Sequence, residues 1–511
     1  MAKQKVTSSV FSPLINDYPP PSHHHSSIFQ HTVDQGAHTF AKNIPECRLS
    51  SCPNALRAGS FSTITFADSM KINKAAIKAA AVKGLRENCA TIWTDTSYLD
   101  PKRMEVFLAR SQNAPLRVRV ATRGDWIAFT EAFAKALAQT HRLHLIDLEV
   151  KSAAKLHSLL AKMDGSAPIL EVISLECEHG SHTLPQDAKF LQDGTPSLKQ
   201  ISFQRCGIPW SKVLMSSGLI FLQLWNAQES HSQCRPSTNA LLNALESMPL
   251  LKHIDLFLFL PRSDGSPPRQ PRLSLQKLSD RLVIYDFADA IASFFEAVEI
   301  PQAVHTDLGF VDTVENPEAV RSALSSIRSS WAGDMARLYK ENGLQKLQVE
   351  PFPDEDHELY MIRFNLSFDI GPCSYDSPSL ILAFSEGSST VAVLLELSQG
   401  LDFSSLQALD IDHVDEPFFE AHLWETVLTD LPKLERASFQ SSIIDGFVSG
   451  WQESTSLAGE MAELLGDRAR HPGIGPVEIR IEGSCDLDSF DLLNDAAANI
   501  KVTWDGRLRR L

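Results

Sequence analysis

One short hydrophobic phrase recurs along this chain: an apolar residue, two residues of any kind, an apolar residue, one of any kind, and a further apolar residue. A clear copy is Leu198, Ile201 and Phe203, which Cys206 and Ile208 follow. Repetition at intervals of a few tens of residues is typical of solenoids, in which one short unit is stacked many times. The copies begin at Leu170, Leu198, Leu219, Leu251, Leu344, Leu406 and Leu434, with a weaker copy at Leu143.

The intervals between copies predict a continuous array. The starts at 143, 170, 198, 219 and 251 lie 27, 28, 21 and 32 residues apart. The gap from 251 to 344 has room for three such units, and the gap from 344 to 406 has room for two. We therefore expect drifted repeats in both gaps, not foreign insertions. The strands expected there are residues 303–308, 361–368, 380–384 and 391–397, and a terminal strand is expected at 477–481.

Helical stretches separate the phrases, and a Pro or Gly stops many of them before the next strand, as in Met248-Pro249 and Asn342-Gly343. The unit is therefore helix, stop, strand and loop. This order predicts an α/β fold, an irregular leucine-rich-repeat solenoid with a curved parallel sheet and outer helices. The predicted helices are residues 67–88, 101–110, 126–140, 154–163, 241–248, 287–298, 317–342 and 418–431, and an alternating strand is predicted near 116–120.

Alternation within each strand fixes two faces. The fourth and sixth positions of a phrase, such as Ile201 and Phe203, are expected to face the core, while the fifth and seventh line a concave, solvent-facing side. Trp225 and Phe257 stand out there, because a large aromatic on a polar face is typical of a protein-binding hot spot. The alternative is that a loop or the N-terminal segment folds over them. The candidate protein-binding residues are Glu176, Gln204, Trp225, Phe257, Glu350, Asp410 and Asp412.

If the two aromatics are exposed, replacing Trp225 and Phe257 together by Ala should abolish capture of a partner without lowering the melting temperature.

The chain divides into four predicted segments. Residues 1–65 are rich in Pro, Ser and His and lack a helical or strand period, so they are predicted to be a disordered N-terminal segment. Residues 66–140 are predicted to form a helical N-terminal cap. The solenoid is expected to span 141–445, and residues 446–511 are expected to form a C-terminal cap that covers the last apolar face.

Composition narrows the function classes. The chain has 511 residues and a formal net charge of −16, which argues against general nucleic-acid binding because phosphate contacts need clustered Lys and Arg. The acidity suits solubility and would also suit a basic partner. The start leads into no apolar run, and no stretch approaches the roughly 18 apolar residues that span a bilayer, so no membrane association is expected. Eight scattered Cys favour reduced thiols and a cytoplasmic or nuclear location.

Neither catalysis nor cofactor binding is predicted. The chain carries no Gly-x-Ser-x-Gly elbow, no phosphate-binding Gly-Lys-Ser/Thr loop and no His-Glu-x-x-His helix. The run His23 to His25 and the acidic run 354–358 lack the ligand spacing of zinc or calcium sites, so no metal site is expected. Cys177 and Cys206, at or next to the ninth repeat position, are predicted to be structural and buried.

Residues 88–310 carry further motifs. The chain reads Cys89-Ala-Thr-Ile-Trp93-Thr-Asp95 and then Val106-Phe-Leu108-Ala-Arg110-Ser111-Gln-Asn-Ala114-Pro115-Leu116. Shorter pieces are Ala167-Pro-Ile-Leu170-Glu, Cys206-Gly-Ile-Pro-Trp210 and Val298-Glu-Ile-Pro301. Together they resemble the fungal, mushroom-type family of F-box and leucine-rich-repeat proteins, in which the first two pieces follow the F-box.

This resemblance implies a substrate-recognition subunit of a Skp1–cullin–F-box ubiquitin ligase, with a Skp1-type adaptor and a ubiquitination substrate as partners. The stretch Ser69 to Asn88 is rich in Ala and Lys and lacks the Leu-Pro opening and the closing Cys-x-x-Trp of the family's F-box. We therefore expect a non-catalytic protein-binding scaffold of F-box-like leucine-rich-repeat type. A ligase receptor with a diverged F-box is the alternative, and an enzyme of unknown class is a remote third.

Overall fold

The computed structural model describes residues 94–95, 101–121, 127–179, 182–183, 195–207, 217–226, 235–262, 269–311, 317–354, 359–370, 378–385, 390–411, 431–440, 478–482, 484–485, 501–504 and 507–508. By its internal contacts the chain divides into two units, Met1–Ala79 and Ala80–Leu511. All described residues belong to the second unit. The predicted segment 1–65, the predicted helices 67–88 and 418–431, and most of the predicted cap 446–511 lie outside the described residues.

Among these residues, a sheet of 15 strands dominates the fold. Three further two-stranded sheets pair β4 with β6, β9 with β11 and β19 with β21. The strands are β1 Leu116–Ala121, β2 Leu143–Ser152, β3 Val172–His179, β4 His182–Thr183, β5 Gln200–Gln204, β6 Cys206–Gly207, β7 Phe221–Trp225, β8 His253–Phe257, β9 Leu273–Ser274, β10 Arg281–Asp286, β11 Val298–Glu299, β12 His305–Phe310, β13 Lys346–Asp354, β14 Leu359–Ser367, β15 Ser379–Ser385, β16 Ala408–Ile411, β17 Arg436–Gln440, β18 Glu478–Glu482, β19 Ser484–Cys485, β20 Lys501–Trp504 and β21 Arg507–Leu508.

The large sheet follows chain order except at one place. Its order is β1-β2-β3-β5-β7-β8-β10-β12-β15-β14-β13-β16-β17-β18-β20. All neighbours pair in parallel apart from β14, which is antiparallel to both β13 and β15. The fold is therefore α/β with a large, mostly parallel sheet. The sheet runs from Leu116 to Trp504, past both limits of the segment 141–445.

The helices lie between the strands along the chain. They are α1 Pro101–Ser111, α2 Ile127–Leu137, α3 Ala153–Leu160, α4 Thr238–Glu246, α5 Ala288–Ala297, α6 Pro317–Ser330, α7 Gly333–Asn342 and α8 Thr390–Gly400. None of these helices has the length and apolar character that crossing a membrane requires.

Two predicted elements are wrong. The single helix expected at 317–342 is divided at Trp331 and Ala332, because Trp331 bridges to Ile300 and Gly333 takes a φ of +48° against the carbonyl of Pro301. The strand expected at 391–397 is helix α8. Its buried residues Val393, Leu394, Leu397 and Leu401 recur at helical spacing, and a short apolar run does not by itself separate strand from helix.

The first Leu of each phrase is a core residue that sets the start of a strand. Leu170 is fully buried, and its N–H donates to the carbonyl of Ala167 at 3.1 Å, which closes a tight turn. The same turn precedes Leu198, Leu251, Leu406 and Leu434. Each strand then begins two residues after its Leu. The repeated phrase thus marks the strands, as the sequence predicts.

The gap between Leu344 and Leu406 does not hold drifted parallel repeats, contrary to our prediction. Strands β13, β14 and β15 form an antiparallel meander that enters the sheet in reverse order. As a result β15 pairs with β12 and β13 pairs with β16, both in parallel. The connection from β12 to β13, which contains α6 and α7, and the connection from β15 to β16, which contains α8, therefore each cross two strands of the sheet.

One main core lies on the helix-covered face of the sheet. Alternate strand residues such as Ile173, Leu175 and Phe203 are fully or almost fully buried in it together with the helices. Cys177 and Cys206 belong to the same core, with 1% and 2% of their surface exposed, as predicted. Because successive side chains of a strand point to opposite faces, the intervening residues form what we call the second face.

Candidate functional site

The second face carries an aromatic platform, formed by Trp225, Phe257 and Tyr285. These residues lie in register on the adjacent parallel strands β7, β8 and β10. The ring centroids of Trp225 and Phe257 are 6.5 Å apart, and those of Phe257 and Tyr285 are 5.8 Å apart. With Leu258, Val283, Met361 and Ala383 they form a hydrophobic cluster separate from the main core.

A glycine accommodates the Tyr285 ring. Gly309 is the register partner of Tyr285 on β12, and a Cβ there would lie 2.2 Å from the ring atom Cδ1. The ring therefore lies flat on the strand next to its own, and only a residue without a side chain leaves that space. With Gly309 beneath the ring and the Phe257 ring stacked against it, Tyr285 is only 7% exposed.

Two buried carboxylates hold the polar ends of the platform. Asp255 accepts hydrogen bonds from Trp225 Nε1 at 2.8 Å and from Gln223 Nε2 at 2.9 Å. Asp307 accepts one from the Tyr285 hydroxyl at 3.1 Å and forms an ion pair with Arg281 at 2.9 Å. A buried Trp or Tyr needs such a partner for its N–H or O–H, so both ring orientations are fixed before any ligand arrives.

Burial also shifts the protonation of the platform's neighbours. Burial raises the pKa of the Asp255 carboxyl to about 6, although its hydrogen bonds from Trp225 and Gln223 act in the other direction. Burial lowers the pKa of His253 to about 4, and the positive charge of Arg281 adds to that effect. Burial raises the pKa of the Tyr285 hydroxyl, so it is a neutral hydrogen-bond donor at physiological pH. The polar groups beside the platform are therefore buried away from solvent.

The raised pKa of Asp255 predicts a measurable pH dependence of stability. The folded state takes up the Asp255 proton near pH 6 and the unfolded chain only near 3.8, so this group adds stability as the pH falls through that window. The substitution Asp255→Asn removes this gain in stability. Between pH 7.5 and 5.0 the unaltered chain should therefore gain about 1 kcal/mol of unfolding free energy relative to the variant, as measured by urea titrations at each pH.

His253 supplies the control for this measurement. Its folded pKa lies below its unfolded value, so on acidification the unfolded chain takes the proton first and stability falls between pH 6.5 and 4. The substitution His253→Gln should therefore change the pH dependence in the opposite direction to Asp255→Asn. Identical pH profiles for both variants would contradict the assignment.

A buried ion pair between Arg235 and Asp286 links chain segments that lie beside the platform. Arg235, which precedes α4, donates to both carboxylate oxygens of Asp286 at 2.8 and 3.0 Å and to the carbonyl of Leu260 at 2.6 Å. Asp286 is fully buried at the end of β10 and also accepts from the N–H groups of Leu260 and Phe287, each at 2.9 Å. The pair thus joins the ends of β8 and β10 at the platform's edge.

The predicted binding residues separate into three groups. Glu176 and Gln204 are half-buried and lie in the same register row as Trp225, and Glu350 lies in that row on the other side of the platform. Asp410 lies in the neighbouring row, 3.0 Å from Lys346 Nζ. Asp412 lies outside the described residues.

The prediction that Phe257 is solvent-facing is wrong. Phe257 is only 5% exposed, because its own cluster on the second face surrounds it, while Trp225 is half-buried. Tyr285, Asp307 and Gly309 did not emerge from the sequence, since they lie on strands β10 and β12, which lack a clear copy of the phrase.

Among the described residues, no three His, Cys, Asp or Glu side chains come close enough to hold a metal ion. One His–Ser pair resembles the pairing found at nucleophilic sites. His305 Nδ1 lies 2.6 Å from Ser379 Oγ, and both side chains are half-buried on adjacent strands.

Comparison of the chain with protein-family models and with curated proteins gives no match.

Proposed function

We propose that this chain is a non-catalytic protein-binding scaffold of leucine-rich-repeat type, whose partner binds the second face at Trp225. The observation that carries the proposal is the aromatic platform, with its ring orientations fixed by Asp255 and Asp307. Large aromatics held rigidly lose little conformational entropy on binding, which is why Trp and Tyr dominate protein-binding hot spots.

The repeat pattern supports the scaffold part of the proposal. The strands beginning two residues after a buried Leu lie side by side in parallel, and helices cover the opposite face. A leucine-rich-repeat solenoid has this unit, and its sheet offers a continuous row of side chains to a ligand. The meander β13 to β15 is an irregularity within the array that keeps the second face continuous.

The second candidate is a substrate-recognition subunit of a Skp1–cullin–F-box ubiquitin ligase. This candidate rests on the sequence resemblance, and a residue of the resembling segment belongs to the folded core: Ser111 is fully buried and its hydroxyl accepts from Arg142 Nη2 at 2.7 Å. Arg142 also donates to the carbonyl of Ala114, through Nε at 2.9 Å and Nη2 at 2.8 Å. A pull-down of the full chain with a Skp1-type adaptor separates the two candidates, since adaptor binding favours the ligase subunit and its absence removes it.

Affinity capture tests the proposed function itself. The full chain and its Trp225→Ala variant are immobilised, and the proteins retained from a lysate of the source organism are quantified by mass spectrometry. We expect the main protein retained by the unaltered chain to be lost with Trp225→Ala, because the half-buried Trp225 ring is the proposed anchor. Leu250→Ala is the matched control, since Leu250 is 46% exposed away from the platform. Equal retention by all three chains would sink the proposal.

A further inference from the structure

A series of side-chain hydrogen bonds crosses three adjacent strands and ends at the indole of Trp225. The hydroxyl of Ser202 donates to Gln223 Oε1 at 2.6 Å, and Gln223 Nε2 donates to Asp255 Oδ2 at 2.9 Å. The indole Nε1 of Trp225 donates to the other carboxylate oxygen, Asp255 Oδ1, at 2.8 Å. Ser202, Gln223 and Asp255 are register partners on β5, β7 and β8. We call these three residues the relay.

The relay is buried on all three strands. Ser202, Gln223 and Asp255 all belong to the buried polar residues of the sheet. Because little water reaches them, a hydrogen bond that is lost within the relay is not simply replaced by one to solvent. A change at one side chain must therefore be compensated by a rearrangement of the next.

The ionised carboxylate of Asp255 sets the direction of the relay. A carboxylate only accepts hydrogen bonds, so Gln223 must turn its NH₂ group towards Asp255 and its carbonyl oxygen towards Ser202. The Ser202 hydroxyl is able to donate or to accept, and here it donates. In this state the hydrogen bond from the Trp225 indole ends on a negative charge, which makes it a strong one.

A proton on Asp255 requires the opposite direction. Oδ1 faces the indole N–H of Trp225, which is a donor only, so the proton belongs on Oδ2. The acid then donates to Gln223 Oε1 once the amide group has rotated by half a turn, and Gln223 Nε2 donates to Ser202 Oγ. The indole keeps its bond to Oδ1, but that oxygen is now a neutral carbonyl and a weaker acceptor.

The other neighbours of Asp255 offer this proton no side-chain acceptor within the part of the chain that the structure describes. The register partner on β10 is the apolar Val283, and Asp307 lies one strand further, about 10 Å away at the usual strand spacing. The charges of Asp307 and Arg281 act on Asp255 in opposite directions, and the two form an ion pair at 2.9 Å. His253, two residues earlier on β8, has a pKa of about 4 and is neutral near pH 6.

We propose that Ser202, Gln223 and Asp255 form a proton-sensitive device: uptake of one proton by Asp255 reverses the hydrogen bonds of the relay and loosens the hold on the Trp225 indole. The proton comes from solvent and stays on Asp255 Oδ2, while the Gln223 amide and the Ser202 hydroxyl only rotate. Burial raises the pKa of Asp255 to about 6, so mild acidification reaches the transition. The consequence for partner binding rests on the proposed function, in which Trp225 is the anchor.

Nuclear magnetic resonance of the full chain without a partner tests the device. The indole proton of Trp225 and the side-chain amide of Gln223, assigned by their loss in Trp225→Phe and Gln223→Leu, are followed from pH 7.5 to 5.0. We expect both resonances to move with one midpoint near pH 6. Relative to free Trp at the same pH, the indole N–H should exchange with deuterium about fivefold faster at the acidic end. An indole resonance that does not titrate, or a Gln223 amide that stays in place while the indole moves, would overturn the inference.

Asp255→Asn is the decisive variant, because asparagine imitates the protonated acid. Its Oδ1 accepts from the Trp225 indole while its NH₂ group donates to Gln223, so the relay is fixed in the reversed direction at every pH. We expect both resonances to be independent of pH and to lie near their acidic positions. A variant whose indole resonance still titrates with the same midpoint would contradict the assignment of the proton to Asp255.

Asp147→Asn is the matched control. Burial raises the pKa of Asp147 as well, and this residue lies in the same register row as Asp255, four strands away. The control should keep the titration of the unaltered chain. If it abolishes the titration as Asp255→Asn does, the effect is a general property of the sheet and the inference fails.

The device and the proposed function fail separately, because the resonances are recorded without a partner. A flat indole titration overturns the device and has no bearing on capture of a protein through Trp225. A chain that titrates as expected but retains the same proteins after Trp225→Ala keeps the device and loses the proposed function.

Discussion

Replacing Asp286 with Ala is expected to lower the free energy of unfolding by about 3–5 kcal/mol, because it leaves the buried cation of Arg235 without its partner. Asp286 is fully buried, and the Arg235 side chain is 4% exposed. The substitution also removes the acceptor for the N–H groups of Leu260 and Phe287. Each buried donor that loses its partner adds its own desolvation cost.

Urea unfolding followed by circular dichroism measures this loss. The double variant Arg235→Met, Asp286→Leu removes both charges and should recover a large part of the stability, since an apolar pair needs no charge compensation. Glu105→Ala is the control: its 2.8 Å ion pair with Lys135 is exposed, and its loss should leave the unfolding midpoint unchanged. If the unfolding midpoint of Asp286→Ala equals that of the Glu105→Ala control, the claim that the Arg235–Asp286 pair is needed for stability is contradicted.

Replacing Phe257 with Ala is expected to cost about 3 kcal/mol of unfolding free energy, because the ring is buried and the space it leaves cannot fully collapse. Of the two alternatives that the sequence leaves open, the exposed one predicts the opposite result, in which the loss of Phe257 leaves the melting temperature unchanged. The rings of Trp225 and Tyr285 lose their common neighbour in the variant.

Thermal unfolding of Phe257→Ala and Trp225→Ala, measured side by side, checks the expectation. Trp225 is half-buried at the edge of the cluster, so its truncation should lower the melting temperature less than that of Phe257. Phe257→Leu keeps most of the volume and should recover much of the difference. A Phe257→Ala variant as stable as the unaltered chain would show that the ring is not packed as described.

The repeated phrase identifies most strands because it encodes both the turn and the alternation. A buried Leu in a tight turn fixes where the strand starts. The apolar residues three and five positions later fix which side chains of the strand face the core. Strand β10 escapes this pattern by one residue: Leu278 makes the same turn, but the next buried residue is Leu282, four positions on. One inserted residue is enough to hide a repeat from the sequence.

The antiparallel meander could not be predicted from the phrase for a different reason. Strand β13 begins with alternating apolar and polar residues, whereas β15 is a continuous apolar run from Leu380 to Phe384, and neither pattern carries information about strand direction or order. Which strand pairs with β12 is decided by long-range pairing. The result places Arg363 and Met361 beside the platform, although both lie more than 70 residues from Tyr285 in the chain.

The candidate site was therefore only half visible in the sequence. Trp225 could be identified because it occupies a polar position of a clear repeat. The roles of Gly309 and Asp307 depend on Tyr285 of the adjacent strand: Gly309 leaves space for its ring, and Asp307 accepts a hydrogen bond from its hydroxyl. No pattern within β12 indicates either contact. The burial of Phe257 likewise depends on side chains from other strands.

The central claim is that Trp225 on the second face anchors a protein partner. Isothermal titration of the main captured protein against the purified chain, Trp225→Ala and the Leu250→Ala control tests it most directly. A central aromatic hot spot contributes at least about 2 kcal/mol, so we predict a dissociation constant raised about 30-fold or more in Trp225→Ala and unchanged in Leu250→Ala. Equal dissociation constants for all three chains, each of them folded, would contradict the claim.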